Sequence, residues 1–498
     1  MSPMFPKFVL LWTDAVMWAL VAVLLVYARV VWRSPNLRAS WTLVFRDAAA
    51  FASAIVLGVC LALTLLDSVH FRRALPAAAD ADVSKVTQAF DTRTQSVLDA
   101  LLVRLVGSRE ATYSRPLAYQ SFTLESLTVD GEVRRLPPRL LHGGAHLRDP
   151  VREWSGDVAM RIVGGLGIGA GFALLLGAGI LRGVARRHGW PWREALERVL
   201  HDECDIRWRA ALLTLTGLCL LAAPAALLMN EYHLLGTDRT GNDVFYQALK
   251  SIRTAFVIGT LATVATLPLA VGLGLMAGYF KGWVDEMIQY LYTVLSSVPN
   301  VLLIAACVLM VQVFLDQHPE LFETGAERAD LKLFLLCAIL GLTGWAGLCR
   351  LLRAEALKLR ELEYVQAATA FGVGPWRIMV RHLMPNVMHL VLITTVLDFS
   401  GLILYEAVLS YVGVGVDPSM NSFGGMINLA RSEMSRDPVV WWSFAAAFGF
   451  MVTVVLAANF FADGVRDAFD PRARLFRARR FRAAAVIRPP HDAAQAAD

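Results

Sequence analysis

The chain has 498 residues, 56% hydrophobic and 18% charged, with a formal net charge of +5 and a mean hydropathy of +0.51. Its apolar residues gather in runs of about twenty, the length that crosses a hydrocarbon core, which excludes a soluble multidomain protein and points to a polytopic membrane protein. The six cysteines form no framework: Cys60, Cys219, Cys307 and Cys337 lie in apolar runs, Cys204 and Cys349 lie beside basic segments, and none falls in the polar stretch 67–158. They read as small buried hydrophobes.

In chain order, nine spans are predicted. They are Phe8 to Trp32, Ala48 to Leu66, Ile162 to Leu181, Ala210 to Met229, Ala255 to Tyr279, Met287 to Leu315, Leu331 to Leu352, Val387 to Val412 and Val440 to Phe461. The first carries Asp14. It is too long, and lacks the small-residue site, for a cleavable signal peptide. Between spans two and three, residues 67–158 read as a small α+β domain. "VSKVTQAFDTRTQSVLDALLVRLV" predicts an amphipathic helix, and "AYQSFTLESLTVDGEVRRL" alternates around Asp-Gly and predicts a hairpin. His70, His142 and His146 are scattered there and read as solvated or structural rather than metal ligands.

Arginine and lysine set the orientation. Arg33, Arg38 and Arg46 follow span one; Arg182, Arg186, Arg187, Arg193, Arg198, Arg207 and Arg209 follow span three; Arg350, Arg353, Lys358, Arg360, Arg377 and Arg381 follow span seven; Arg466, Arg472, Arg474, Arg477, Arg479, Arg480 and Arg482 follow span nine. Placing all four groups in the cytoplasm satisfies the positive-inside rule with one alternation. Residues 67–158 are then extracytoplasmic and 353–386 cytoplasmic.

No signature of a soluble enzyme occurs: no G-x-x-x-x-G-K-[ST], no H-E-x-x-H and no G-x-S-x-G. "GGLGIGAG" (Gly164–Gly171) is not a phosphate loop, because it lies inside a span. Its pairs Gly165/Gly169 and Gly167/Gly171 have the spacing that lets helices approach closely. The basic tail 476–498 reads as a lipid-headgroup anchor, not a nucleic-acid site.

Between spans seven and eight stands "EYVQAATAFGVGPWRIMVRHLMPN" (Glu363–Asn386). From Leu351 the residues are good helix formers and predict a helix continuing span seven into water, with a small-residue surface at Ala367, Ala368 and Ala370. Gly372 is a plausible helix end, and "WRIMVRHL" resumes a basic amphipathic helix before Pro385. Taken alone, this is either a docking device for a cytoplasmic partner or a solvated connector.

The segment resembles the coupling loop of ABC-importer permeases, whose pattern is Glu-Ala-Ala, three residues, Gly, nine residues, Ile, one residue, Leu-Pro. Ala367, Ala368, Gly372 and Pro385 match in register, whereas Gln366 replaces Glu, His382 replaces Ile and Met384 replaces Leu. Glu363, one turn earlier, is positioned to supply the charge that Gln366 lacks. "LLGTDRTGNDVFYQALKSIRTAFVIG", "AGYFKGWVDEMIQ", "EAVLSYVGVGVDPSMNSFGGMI" and "DGVRDAFDPR" resemble the C-type permease of dipeptide and oligopeptide importers. The resemblance covers about 210–475 of the chain.

It implies an all-α polytopic membrane protein of the cytoplasmic (inner) membrane. The permease core would have six helices at 210–475, with an extension at 1–209 that adds three transmembrane helices and the α+β domain. The implied partners are a second homologous permease subunit, two cytoplasmic ABC ATPase subunits that bind ATP-Mg, an extracytoplasmic solute-binding protein and membrane lipids. The chain itself would bind no cofactor and catalyse no reaction. The expected transport is of peptides by alternating access, coupled through Glu363, Gln366, Ala367, Ala368, Gly372 and Pro385.

Asp398 and Glu406 lie in span eight, two turns apart, where they can share a face. Intramembrane carboxylates are costly and mark functional sites by default. They either line the translocation path or hold the helix through polar contacts. Two other functions stay open on the sequence: a proton-coupled secondary transporter using these carboxylates, and a membrane sensor or scaffold using 67–158.

Overall fold

The computed structural model describes residues 6–74, 90–129 and 132–469. The tail 476–498, the Asp130–Gly131 turn and the first part of the helix expected over 83–106 lie outside the described residues.

A short strand β1 (Lys7–Val9) leads into α1 (Trp12–Arg33), α2 (Pro35–Arg46) and α3 (Ala48–Asp67). β1 pairs antiparallel with β2 (His70–Arg72), which pairs with β3 (Gln95–Ser96). The start of the first predicted span is therefore extended chain paired with residues 70–72, not helix. The long helix expected over 83–106 is, in its described part, α4 (Val97–Leu101) and α5 (Val103–Gly107) behind β3. Ser96 and Asp99 form a capping box that fixes the start of α4. The hairpin forms as expected: β4 (Glu125–Val129) pairs with β5 (Glu132–Leu136).

The extension ends with α6 (Pro150–His188), which runs well beyond the predicted span at both ends, and the short amphipathic α7 (Trp192–Leu200). The core comprises α8 (Trp208–Leu228), α9 (Val244–Phe280), α10 (Gly282–Ser297), α11 (Asn300–Gln317), α12 (Gly325–Gly344), α13 (Ala346–Arg360), α14 (Glu363–Ala370), α15 (Pro375–Ile378), α16 (Met384–Tyr411), α17 (Phe423–Glu433) and α18 (Trp442–Phe469). Among the described residues, eight helices are long and apolar enough to cross a membrane, and nine spans result if α12 and α13, bent by 40°, count as one.

Two further predicted elements are broken. The sixth span divides because Pro299 holds Val298 in an extended conformation (φ −92°, ψ 134°), which separates the amphipathic α10 from the membrane helix α11. The helix expected to continue to Gly372 stops at Arg360. Its end is held by tertiary contacts: Arg360 Nη1 donates to the Tyr279 carbonyl at 2.6 Å, and Lys281 Nζ meets Glu361 Oε1 at 2.8 Å.

Close crossings explain the helix arrangement. A Cβ on Gly278 of α9 would lie 2.4 Å from Ala356 Cβ of α13, and one on Gly464 of α18 would lie 2.3 Å from Ala50 Cβ of α3. Of the two glycine pairs in α6, Gly165 and Gly169 face α8, against Pro224 and Cys219; Gly167 and Gly171 face open space. The extension is thus packed onto the core along its whole height, with Met17 of α1 buried among Val257, Leu333 and Leu409.

Candidate functional site

The loop between α13 and α16 sits on a packed base. Val365, Ile378, Met379 and Leu383 are buried in one apolar cluster with Leu275 of α9, Ile288 of α10 and Leu352 of α13. Gly372 (φ +76°) ends α14 in the left-handed region that glycine adopts without a Cβ clash. Gly372 N–H donates to the Thr369 carbonyl (3.0 Å) and Val373 N–H to the Ala368 carbonyl (3.1 Å), the paired bonds of a Schellman end. A five-residue π turn, Met379–Leu383, then leads into α16, with Pro385 in its first turn, where a missing N–H costs nothing. Asn386 Nδ2 reaches both Tyr364 Oη (3.0 Å) and the His382 carbonyl (2.6 Å), tying α16 back to α14.

The outer side of this base is apolar and open. Phe371 is 86% exposed and Trp376 65%, with Ala367 and Tyr364 also exposed. Gln366 is exposed and donates to the Glu361 carbonyl at 3.2 Å; Glu363 is exposed one turn ahead. The alanine pair does not act as a unit: Ala367 faces outward, whereas Ala368 packs partly into the apolar base. Sequence reasoning missed Phe371 and Trp376. Their signal was two bulky aromatics flanking a glycine turn in a polar linker, where no core requires them.

Below the loop, Arg353 grips Asp285 with two bonds of 2.5 and 2.7 Å, a bidentate pair that fixes α13 to α10. The loop, α9, α10 and α13 are joined by apolar packing and ion pairs. A push on the loop reaches these helices directly.

The two carboxylates of span eight do not share a face. Eight residues place them about 80° apart around the helix. Glu406 is 1% exposed, accepts a hydrogen bond from Ser410 Oγ at 2.6 Å, and is also faced by the Ser422 hydroxyl and the Gly424 amide. It joins α16 to the start of α17, where bare Gly424 lets Ser410 and Ala407 approach. Asp398, at mid-helix, is on the exposed surface of α16.

The opposite end of the molecule carries charge that the apolar pattern concealed. Arg253 Nη2, near the start of α9, donates to Asp14 Oδ1 (2.7 Å) and lies 3.6 Å from Asp330 of α12. Asp14 also meets His70 Nδ1 at 2.7 Å, and Thr13 binds Asp330 through its amide and hydroxyl. Lys250 joins Asp67 (2.7 Å) and Asp99 (3.0 Å). Asp14 is therefore a paired anchor of α1. His70 is its partner, and His146 contacts Asp157 and Glu231.

Nearby, His233 is enclosed between Asp243 (2.8 Å) and Glu110 (3.3 Å), and Glu110 also accepts the amides of Leu141, His142 and Gly143. Burial opposes its charge, but these two carboxylates outweigh it and raise the His233 pKa to about 9. Burial likewise opposes the Glu110 carboxylate, yet His233 and the three amides hold its pKa down to about 2. Gly241 (φ +77°) lies directly against the Glu110 carbonyl, and Gly236 (φ +73°) against that of Ser114, so the loop Leu234–Asp243 is a seat for the segment that carries Glu110 and Ser114.

Residues 270–475 match the family model described as "Binding-protein-dependent transport system inner membrane component". The oligopeptide transport system permease protein OppC of Haemophilus influenzae is 30% identical over 50% of this chain and 74% of its own length. The glutathione transport system permease protein GsiD of Pectobacterium atrosepticum is 30% identical over 57% of this chain and 91% of its own. Among solved structures, a chain of the MetNI methionine ABC transporter in inward facing conformations is similar over 44% of this chain and 93% of its own, with 16% identity and a TM-score of 0.31. The chain belongs to the binding-protein-dependent transport system inner membrane components, the multi-pass inner-membrane permease subunits of ABC importers.

Proposed function

We propose that this permease imports peptides, and that it draws its energy through residues 363–386. In this reading it pairs with a second homologous permease. Two cytoplasmic ATPase subunits bind ATP-Mg and grip the two loops, and a solute-binding protein delivers the peptide at the extracytoplasmic face. ATP binding and hydrolysis change the spacing of the ATPase subunits, and nucleotide shifts the permease between its two states only through differential affinity for them. The peptide assignment is supported by the oligopeptide and glutathione permeases to which the chain is similar.

The observation that carries the coupling role is the loop's construction: an exposed apolar surface of Ala367, Phe371 and Trp376 on a base buried against three core helices. Asp398 supports a path-lining role, because a lone carboxylate at mid-span is tolerated where it faces water or protein and not lipid. Its charge suits a peptide amino group.

The test uses the complete transporter in vesicles, with Ala367→Arg in this subunit. A guanidinium on the outward-facing position blocks close approach of a partner and leaves the buried base intact. Peptide-stimulated ATP hydrolysis and uptake fall at least tenfold, with normal abundance in the membrane. Normal uptake by a well-assembled variant rejects the docking assignment. A panel of di- to oligopeptides and single amino acids, scored by stimulation of ATP hydrolysis, tests the substrate class independently.

A further inference from the structure

One cavity lies away from both ends of the proposed transport machinery, in the extension. It has a volume of about 670 Å³ and opens between the α1–α2 corner on one side and the ends of α6 and α8 on the other. Its walls carry Arg33, Arg38 and Arg187 against the single carboxylate of Asp205. Trp32 and Trp208 flank these charges. The positive-inside alternation puts all of them at the cytoplasmic edge of the membrane.

Three features describe an occupant. The charge is unbalanced: among the described residues none of the three arginines has an ion-pair partner, so the cavity attracts an anion. The first turn of α2, which has no side-chain cap, forms part of the wall and adds the positive end of a helix dipole. The setting is interfacial and partly apolar. Ile180 and Val184 complete the wall, and the adjoining helices expose Val26 and Val30 of α1 and Leu174 and Leu175 of α6 to the hydrocarbon. Basic pockets between membrane helices on the cytoplasmic side suit anionic headgroups, and tryptophans sit at headgroup level. The chain's own tail, with Arg477, Arg479, Arg480 and Arg482, is repelled by the same charges and does not fit.

We propose that this cavity is a binding site for the phosphate headgroup of an anionic phospholipid, whose acyl chains run along α1 and α6. Such a lipid fills the gap between the α1–α2 corner and the ends of α6 and α8. It links the extension to the leaflet that bears the ATPase side of the permease.

The full chain, purified in detergent and stripped of lipid, is titrated with phosphatidylglycerol, with phosphatidylcholine and with inorganic phosphate, and adducts are read by native mass spectrometry. Phosphatidylglycerol binds at one saturable site, and phosphatidylcholine binds at least tenfold more weakly. Arg38→Ala with Arg187→Ala weakens phosphatidylglycerol about thirtyfold, from the usual contribution of each basic residue. The pair Arg38→Lys and Arg187→Lys, which keeps the charge, retains most of the binding and shows that loss is not misfolding. Arg182→Ala with Arg186→Ala, equal in charge but outside the cavity, leaves it unchanged. Equal loss in this second pair would mean a diffuse basic surface and overturn the site. Binding of inorganic phosphate as tight as that of the lipid would overturn the lipid assignment.

Discussion

Gly165 and Gly167 differ by two positions in the sequence and by everything in their surroundings. A Cβ at Gly165 would come 2.4 Å from the Cα of Pro224, a backbone atom that cannot swing aside, whereas a Cβ at Gly167 meets nothing within 4 Å. Without a hydrophobic force between helices in lipid, such close approach is what holds α6 to α8. Gly165→Leu is expected to separate the pair and destabilise the folded chain by about 1–3 kcal/mol, the usual cost of overpacking. Gly167→Leu, of identical composition, is expected to leave stability within about 0.5 kcal/mol. Thermal unfolding of the two variants in the same detergent checks the contrast. Equal effects would mean that the α6–α8 crossing is placed on the wrong face.

At the scale of elements, the membrane spans were legible because each is a long apolar run, and that signal survives any local detail. The break before α11 was also within reach, since a proline restrains the residue ahead of it. The stop at Arg360 was not. No glycine or proline marks it, and the contacts that end α13 come from Tyr279 and Lys281, about eighty residues away in the chain. That unseen break resets the phase of α14, which is why Ala367 rather than Ala368 faces outward. The resemblance singled out residues 363–386, and helical geometry alone could not say which of them are open. Asp398 and Glu406 failed for a related reason. Eight residues make about 2.2 turns, and with that extra rotation of about 80° Asp398 is on the surface while Glu406 is buried in the α16–α17 joint. The charged anchors Asp14, Lys250 and Arg253 were hidden because their partners lie on elements distant in sequence.

At the scale of the whole molecule, the contacts sort residues into two ends consistent with the charge rule. Lys281, Asp285, Arg353 and Glu361 meet at one end, and Glu110, His233 and Asp243 at the other. A cysteine at Glu125 and one at Gln366, each exposed, are then on opposite sides of the membrane. In a background without native cysteines, an impermeant thiol reagent added to intact spheroplasts is expected to label the first and spare the second. The reverse pattern would invert the topology and, with it, the cytoplasmic assignment of the loop.

The end that carries His233 also has a pH signature. The folded pKa of His233, about 9, lies above its ordinary value near 6.5, so its contribution to docking is complete below about 6.5 and is lost as pH rises through about 9. Glu110 shifts the other way, to about 2 from 4.5, so its contribution is present above about 4.5 and is lost as pH falls towards 2. Together they hold the domain on the Leu234–Asp243 loop most firmly between about pH 4.5 and 6.5. Hydrogen exchange at residues 110–147 is expected to rise, beyond the intrinsic rate change, as pH goes from 7 to 10. His233→Gln keeps a hydrogen-bonding group but cannot carry charge, so it removes this alkaline loosening and starts from a looser state at pH 7. An alkaline transition that persists unchanged in His233→Gln would assign the loosening to other groups. If the domain is a rigid cap on the permease, the same variant also lowers the thermal stability of the full chain at pH 6 more than at pH 10, because only at the lower pH does the native clamp carry its full charge.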